Sequence, residues 1–184
     1  LEKSLLPTSL LHLEVESGDL KFCTYNFENT PEGIWMLQMA LSQSQYDSAK
    51  KGRDVKRGLE RKAKMGHPPY EAVNGYLNTP DLGKGYKVWK KDPERFHLVR
   101  KMWDLMLTGN YTPPRILEIA NNEWGFTTVK RKRLGGTPLS RSVIYKMFTN
   151  SAYCGLFEYP IGSGNFHQGE YEKMVTEEEY DRVQ

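Results

Sequence analysis

Residues 47–70 read DSAKKGRDVKRGLERKAKMGHPPY, a helix-forming run that ends abruptly in Gly-His-Pro-Pro. Within residues 50–64, Lys50, Lys51, Arg53, Lys56, Arg57, Arg61, Lys62 and Lys64 are answered only by Asp54 and Glu60. Their three- and four-residue spacing makes a positive ridge rather than a mixed, salt-bridged face. Gly66 supplies a helix stop, and Pro68-Pro69 hold the following strap extended at small entropic cost. Two readings stay open at this point. The ridge is either an ordinary solvated helix surface followed by an interdomain linker, or a cationic rod and arm laid along a polyanion.

Working upstream, Thr30-Pro31 pairs a side-chain acceptor with proline at the first helical position. No proline then interrupts the chain until Pro68. The spacing of Ile34, Leu37 and Leu41, widened by Trp35, Met39 and Ala40, predicts one long helix over about residues 32–64, roughly 50 Å at about 1.5 Å per residue. Gly52 and Gly58 weaken it. Before it, LKFCTYNF alternates and predicts a strand over Leu20–Tyr25, while residues 1–16 read as a helix or a loosely packed arm.

Working downstream, residues 66–92 are dense in Gly and Pro and read as a strap with short strands or turns. A helical set follows. Asp92-Pro93 opens a helix to Leu107 with Phe96, Val99, Trp103 and Met106 on one face. Thr112-Pro113 opens a second to Glu123 with Ile116, Leu117, Ile119 and Ala120, and Ser140 caps a third carrying Val143, Ile144, Met147 and Phe148. Three short helices so spaced suggest a helix-turn-helix-like unit. The tail reads as strand Tyr153–Tyr159, a turn at Gly162–Asn165, strand Gly169–Val175, and a last helix whose capping box is Thr176 with Glu179. The predicted fold class is α+β, predominantly helical.

Of 184 residues, 38% are hydrophobic, 27% charged and 12% aromatic, a globular composition with apolar runs far too short to span a bilayer. No secretion signal is visible at the start, so a cytoplasmic location is expected, with no membrane partner. The two cysteines, Cys23 and Cys154, lie too far apart for a paired-thiol motif and read as buried thiols. The four histidines lack metal-ligand spacing, and neither a metal nor another cofactor is expected.

Net charge is only +3, so distribution carries the argument. Lys130-Arg131-Lys132-Arg133 precede the third predicted helix, which opens Ser140-Arg141-Ser142 with Tyr145 and Lys146 one turn on. Hydroxyls and a guanidinium on an exposed first turn suit phosphate and base-edge hydrogen bonds. The plainer alternative is an amphipathic helix with ordinary surface cations. For catalysis the sequence offers no nucleophile with its base and no paired acids. Arg141-Ser142 sits in a helix beside a packing face, Gly83-Lys84-Gly85 is too short for a phosphate cradle, and Glu177-Glu178-Glu179 complements a helix dipole.

Taken in order, residues 27–78, 92–126, 139–159 and 170–184 resemble a large serine recombinase of the resolvase/invertase superfamily. The most specific parts are KRGLERKAKMG at 56–66, Asn-Ser-x-Tyr-x-Gly at 150–155 and the closing Thr-Glu-Glu-x-Tyr-Asp-x-Val-Gln. The resemblance implies that residues 1–66 are the end of a resolvase-type catalytic domain, a strand and the long helix, and that 67–184 are the DNA-binding "recombinase" domain. It implies a prokaryotic or phage-encoded protein that joins and exchanges two DNA sites through a serine–phosphate linkage. Ile34, Leu37, Met39 and Leu41 would lie at a subunit interface of a dimer or tetramer. Arg57, Arg61, Lys64, His67, Pro68 and Pro69 would cross the minor groove of double-stranded DNA, and the region from Arg131 to Lys146 would address the major groove. The whole expected DNA-binding set adds Arg115, Lys132, Arg133, Ser140, Arg141, Ser142 and Tyr145.

The resemblance also has gaps. No residue here matches the family's nucleophilic serine or its arginines, nor its zinc ribbon, so no catalytic residue is carried over. The chain is expected to be an inactive cut-out of a longer protein that recognises half of an attachment site. Ser44-Gln45-Tyr46-Asp47 also departs from the more charged run of many relatives. Rival readings from other classes are a helix-turn-helix transcription regulator with a dimerising helix, and a module whose basic faces meet an acidic protein.

Overall fold

A computed structural model describes residues 13–16, 19–22, 30–80, 87–131 and 133–184. The chain divides into two compact units, residues 1–58 and 59–184. In the first, strands β1 (Leu13–Glu16) and β2 (Asp19–Phe22) form an antiparallel hairpin in the register Leu13↔Phe22 to Glu16↔Asp19. This corrects the expected helix or arm at residues 13–16: Leu-Glu-Val-Glu alternates with period two, and Ser17-Gly18 has the chemistry of a hairpin connection. The predicted strand at Leu20–Tyr25 is thereby shifted to Asp19–Phe22, and residues 23–25 of that prediction, with Cys23, lie outside the described residues.

Helix α1 runs Pro31–Lys64. It starts as its sequence demands, the Thr30 hydroxyl accepting from the Gly33 amide at 3.1 Å ahead of proline at the first position. In the first unit the helix leaves Ile34, Trp35, Met36 and Met39 exposed, with Leu37 and Leu41 half-buried.

The last turns of α1 belong to the second unit, where Ala63 is buried in the core. The helix ends in a Schellman arrangement: the Gly66 amide donates to the Ala63 carbonyl at 2.9 Å and the His67 amide to that of Lys62 at 3.1 Å. Gly66 holds φ +75°, and a Cβ there would stand 2.9 Å from both the Gln168 carbonyl oxygen and the Glu170 nitrogen. Gly66→Ala is therefore expected to destabilise the second unit by about 1–2 kcal/mol from the left-handed backbone alone. Urea unfolding checks this, and an unchanged midpoint would refute it.

Strands β3 (Tyr76–Pro80) and β4 (Lys87–Lys91) pair antiparallel, so the Gly/Pro-rich strap contains a hairpin whose inner side chains, Tyr76 and Trp89, are buried. Asp92 is buried too. Its carboxylate accepts from the Glu94 amide at 3.0 Å and from the Arg95 guanidinium at 3.0 Å, a tight turn that delays helix α2 to Phe96–Leu107 rather than Pro93. Helix α3 (Pro113–Glu118) widens into a π-helical turn at Ile119–Glu123. Helix α4 is Arg141–Phe148. Val99, Met102 and Trp103 of α2, Ile116 and Ala120 of the α3 stretch, and Ile144, Met147 and Phe148 of α4 are buried in one core.

The tail departs from expectation at both predicted strands. Ser151–Cys154 is a 3-10 turn, capped by Asn150 accepting from the Ala152 amide at 2.9 Å, so strand β5 shortens to Leu156–Glu158. Its partner β6 is Phe166–Gln168, and Gly169–Val175 is not a strand. The ladder stops because this segment turns inward: the Tyr171 hydroxyl donates to the Ala152 carbonyl at 2.8 Å, and the Met174 amide to that of Tyr153 at 3.0 Å. Helix α5 (Glu177–Val183) carries the predicted capping box with both hydrogen bonds present. The described residues thus make an α+β, mostly helical fold with three small antiparallel hairpins.

Candidate nucleic-acid interface

Helix α4 is amphipathic by position. Ile144, Met147 and Phe148 fill the core, which leaves Arg141, Ser142, Tyr145 and Lys146 exposed. Ser140 has the extended backbone of an N-cap, but its hydroxyl pairs with that of Ser142 at 3.1 Å instead of closing on the helix, so both hydroxyls stay on the surface. The Arg141 guanidinium lies 6.0 Å from the centroid of the Tyr145 ring. At that distance the ring's attraction for the cation is weak, and the two side chains stand together on the exposed face.

The aim of α4 is set by a residue that sequence reasoning missed. The Asn121 side chain, on the π-helical turn, accepts from the Leu139 amide at 3.0 Å and donates to the Leu139 carbonyl at 2.9 Å. It serves Leu139 as a neighbouring strand would. Leu139 is buried immediately before Ser140, so this grip fixes where α4 begins. Nothing local in the sequence signals it, because the partner lies eighteen residues away.

The cationic candidates fall into different circumstances. Arg61 and Lys64 are exposed on the last turns of α1, and Arg133 is exposed in the loop before α4. Arg131, from the same loop, is ion-paired with Glu71, and Arg115 with Glu118 at 2.8 Å, so both are partly neutralised. Arg57, in the first unit, is 4.0 Å from Asp54. Lys132 lies outside the described residues. His67 and Pro69 are half-buried, whereas Pro68 is fully buried. The Pro68 ring is packed inside the unit, which gives it a structural part in the strap.

Lys62 was read only as one charge of the ridge. Partial burial lowers its ammonium pKa, and the nearby charge of Lys87 on β4 lowers it further. Two like charges from separate elements therefore share one patch, an arrangement that an approaching anion relieves. Among the described residues, no group of three or more His, Cys, Asp or Glu is placed to hold a metal, and no helix is long and apolar enough to cross a membrane. Cys154 is a free, buried thiol whose pKa burial raises.

Two solved structures share the fold. One, described as "Crystal Structure of a LSR-DNA Complex", is 19% identical with a TM-score of 0.53, covering 71% of this chain and 37% of that one. The other, described as "Sequence Requirements of the Listeria innocua prophage attP site", is 18% identical with a TM-score of 0.52, covering 69% of this chain and 48% of that one. The chain thus spans less than half the length of either. No curated protein matches the sequence. The profile of the Recombinase family matches residues 93–184, from the turn before α2 to the end of α5. With half of its length accounted for by that match, the chain belongs to the Recombinase family.

Proposed function

We propose that this chain is the DNA-recognition part of a site-specific serine recombinase, and that it binds half of an attachment site on double-stranded DNA. In this reading α2, the α3 stretch and α4 act as a helix-turn-helix-like unit. The outer face of α4 enters the major groove, with Arg141 on a base edge, and the basic end of α1 follows the phosphates toward the minor groove. Residues 1–66 belong with the catalytic domain and 67–184 with DNA binding. Ile34, Leu37, Met39 and Leu41 pair subunits, and strand exchange through a phosphoserine linkage is the work of residues other than these.

The observation that carries this reading is the face of α4: a buried Ile144, Met147 and Phe148 seam, and opposite it a guanidinium beside a tyrosine ring, two exposed hydroxyls paired with each other and a lysine. Such a face supplies both charge and hydrogen-bond donors on one side of a helix seated in the core, which base reading requires. Membership of the Recombinase family supports it as well.

The test is binding to duplex DNA as a function of salt, with each neutralised phosphate expected to add about −0.9 to the log–log slope. Arg141→Ala is expected to cost roughly 1–3 kcal/mol at one base position and relax the preference there, whereas Arg61→Ala weakens all sequences alike. Binding indifferent to salt would overturn the reading. Equal losses at every position for Arg141→Ala would remove Arg141 as the reader.

A further inference from the structure

The loop leading to α4 displays an apolar side chain that neither the core nor the helix face explains. Leu134 is 75% exposed, with Lys130, Arg131 and Arg133 around it. A lone exposed leucine means little by itself. Here the backbone builds the display. The Thr128 amide donates to the Thr137 carbonyl at 2.9 Å, the Gly136 amide to that of Thr128 at 3.0 Å, and the Arg131 amide to that of Leu134 at 2.7 Å. Gly135 turns the tip at φ +88°, and its backbone runs so close to the Val129 carbonyl that any Cβ would collide with it. A turn held by these hydrogen bonds at Leu134–Gly136 presents the leucine with less to order on binding.

The tip also stands beside α4. The strip Ala72–Asn74 floors two adjoining cavities, one walled by Val129, Leu134 and Gly135, the other by Val143 and Lys146 of α4. Loop tip and helix face are thus opposite banks of one strip. Leucine offers no hydrogen bond, and in the major groove the one apolar group on a base-pair edge is the thymine C5-methyl. The flanking cations fit a surface dense in phosphate.

We infer that Leu134 is a specificity-determining contact of this chain, covering the C5-methyl of a thymine at the edge of the site read by α4, with Lys130 and Arg133 on adjoining phosphates. The inference rests on the DNA-binding reading above and adds to it a base that the loop, not the helix, selects.

The probe is a duplex selected from a randomised library by the wild-type chain, then resynthesised with each thymine in turn replaced by deoxyuridine, which removes only the methyl. At one thymine the wild type should lose roughly fourfold in affinity, the worth of one buried methyl, and Leu134→Ser should lose nothing there. Arg133→Gln should weaken all the duplexes alike while keeping that fourfold step. A selected duplex on which no replacement matters, or on which Leu134→Ser shows the same losses as wild type, overturns the inference and leaves the DNA-binding reading standing. Selection that enriches no duplex overturns both. Leu134→Ser should melt with the wild type, because the side chain it removes packs on little.

Discussion

Trp103→Ala is expected to lower the unfolding free energy of the second unit by about 3–5 kcal/mol, read as a lower urea midpoint at unchanged slope. Trp103 is fully buried where four elements meet. Its ring lies 5.2 Å from Phe148 of α4 at 83°, 5.6 Å from Tyr153 of the 3-10 turn and 6.1 Å from Tyr180 of α5. Truncation opens a void that helices fixed at both ends cannot close. The indole nitrogen has no hydrogen-bond partner, so Trp103→Phe keeps most of the packing and relieves an unsatisfied donor. It should cost far less than alanine. Equal losses for the two variants would show that the ring packing is not what holds these helices together.

The second large effect is expected at the junction of α2 and α5. Arg100 donates two hydrogen bonds to Glu179, at 2.7 and 2.8 Å, and a third to the Met174 carbonyl at 2.8 Å, while Glu179 also accepts from the Thr176 amide at 2.9 Å. One carboxylate thus closes a capping box and a bidentate ion pair together. Glu179→Gln should cost about 1.5–3 kcal/mol, the range for hydrogen bonds to a charged group. The Arg100 hydrogen bonds lower the Glu179 pKa from the ordinary 4.5 to about 2. A depressed carboxylate pKa means stability that is complete above the ordinary value and lost as pH falls from 4.5 towards about 2. Acid unfolding of the wild type should therefore show a loss across that window that Glu179→Gln lacks. Identical acid profiles would exclude this pair as its cause.

Several elements were legible because their signals are local. Thr30-Pro31 begins α1, and Thr176 and Glu179 cap α5. Of the apolar stripes read for α2 and α4, Val99, Trp103, Ile144, Met147 and Phe148 are buried while Phe96, Met106 and Val143 pack half-buried against them. Elements governed by partners far along the chain were not. Gly169–Val175 has strand-like alternation, but hydrogen bonds to Ala152 and Tyr153 turn it into an irregular plug. The burial of Pro68 has no local signal either, because burial is a property of the neighbours that cover it.

The same division runs through the candidate interface. Arg141, Tyr145 and Lys146 on one helix face follow from helical period alone. Charge type does not reveal which cations are already answered. Glu71, which holds Arg131, lies sixty residues earlier, and Lys87, which perturbs Lys62, lies on another element.

Asn121 has a consequence for how target choice can change. Because its amide grips both polar groups of Leu139, α4 is indexed to the three-helix core and not to the loop that precedes it. Residues 127–138 are thereby insulated, open to rewriting, lengthening or grafting while the helix beyond keeps its bearing. Variation there would retune the periphery of a target without disturbing its centre, which makes that loop the economical place for an engineer to begin.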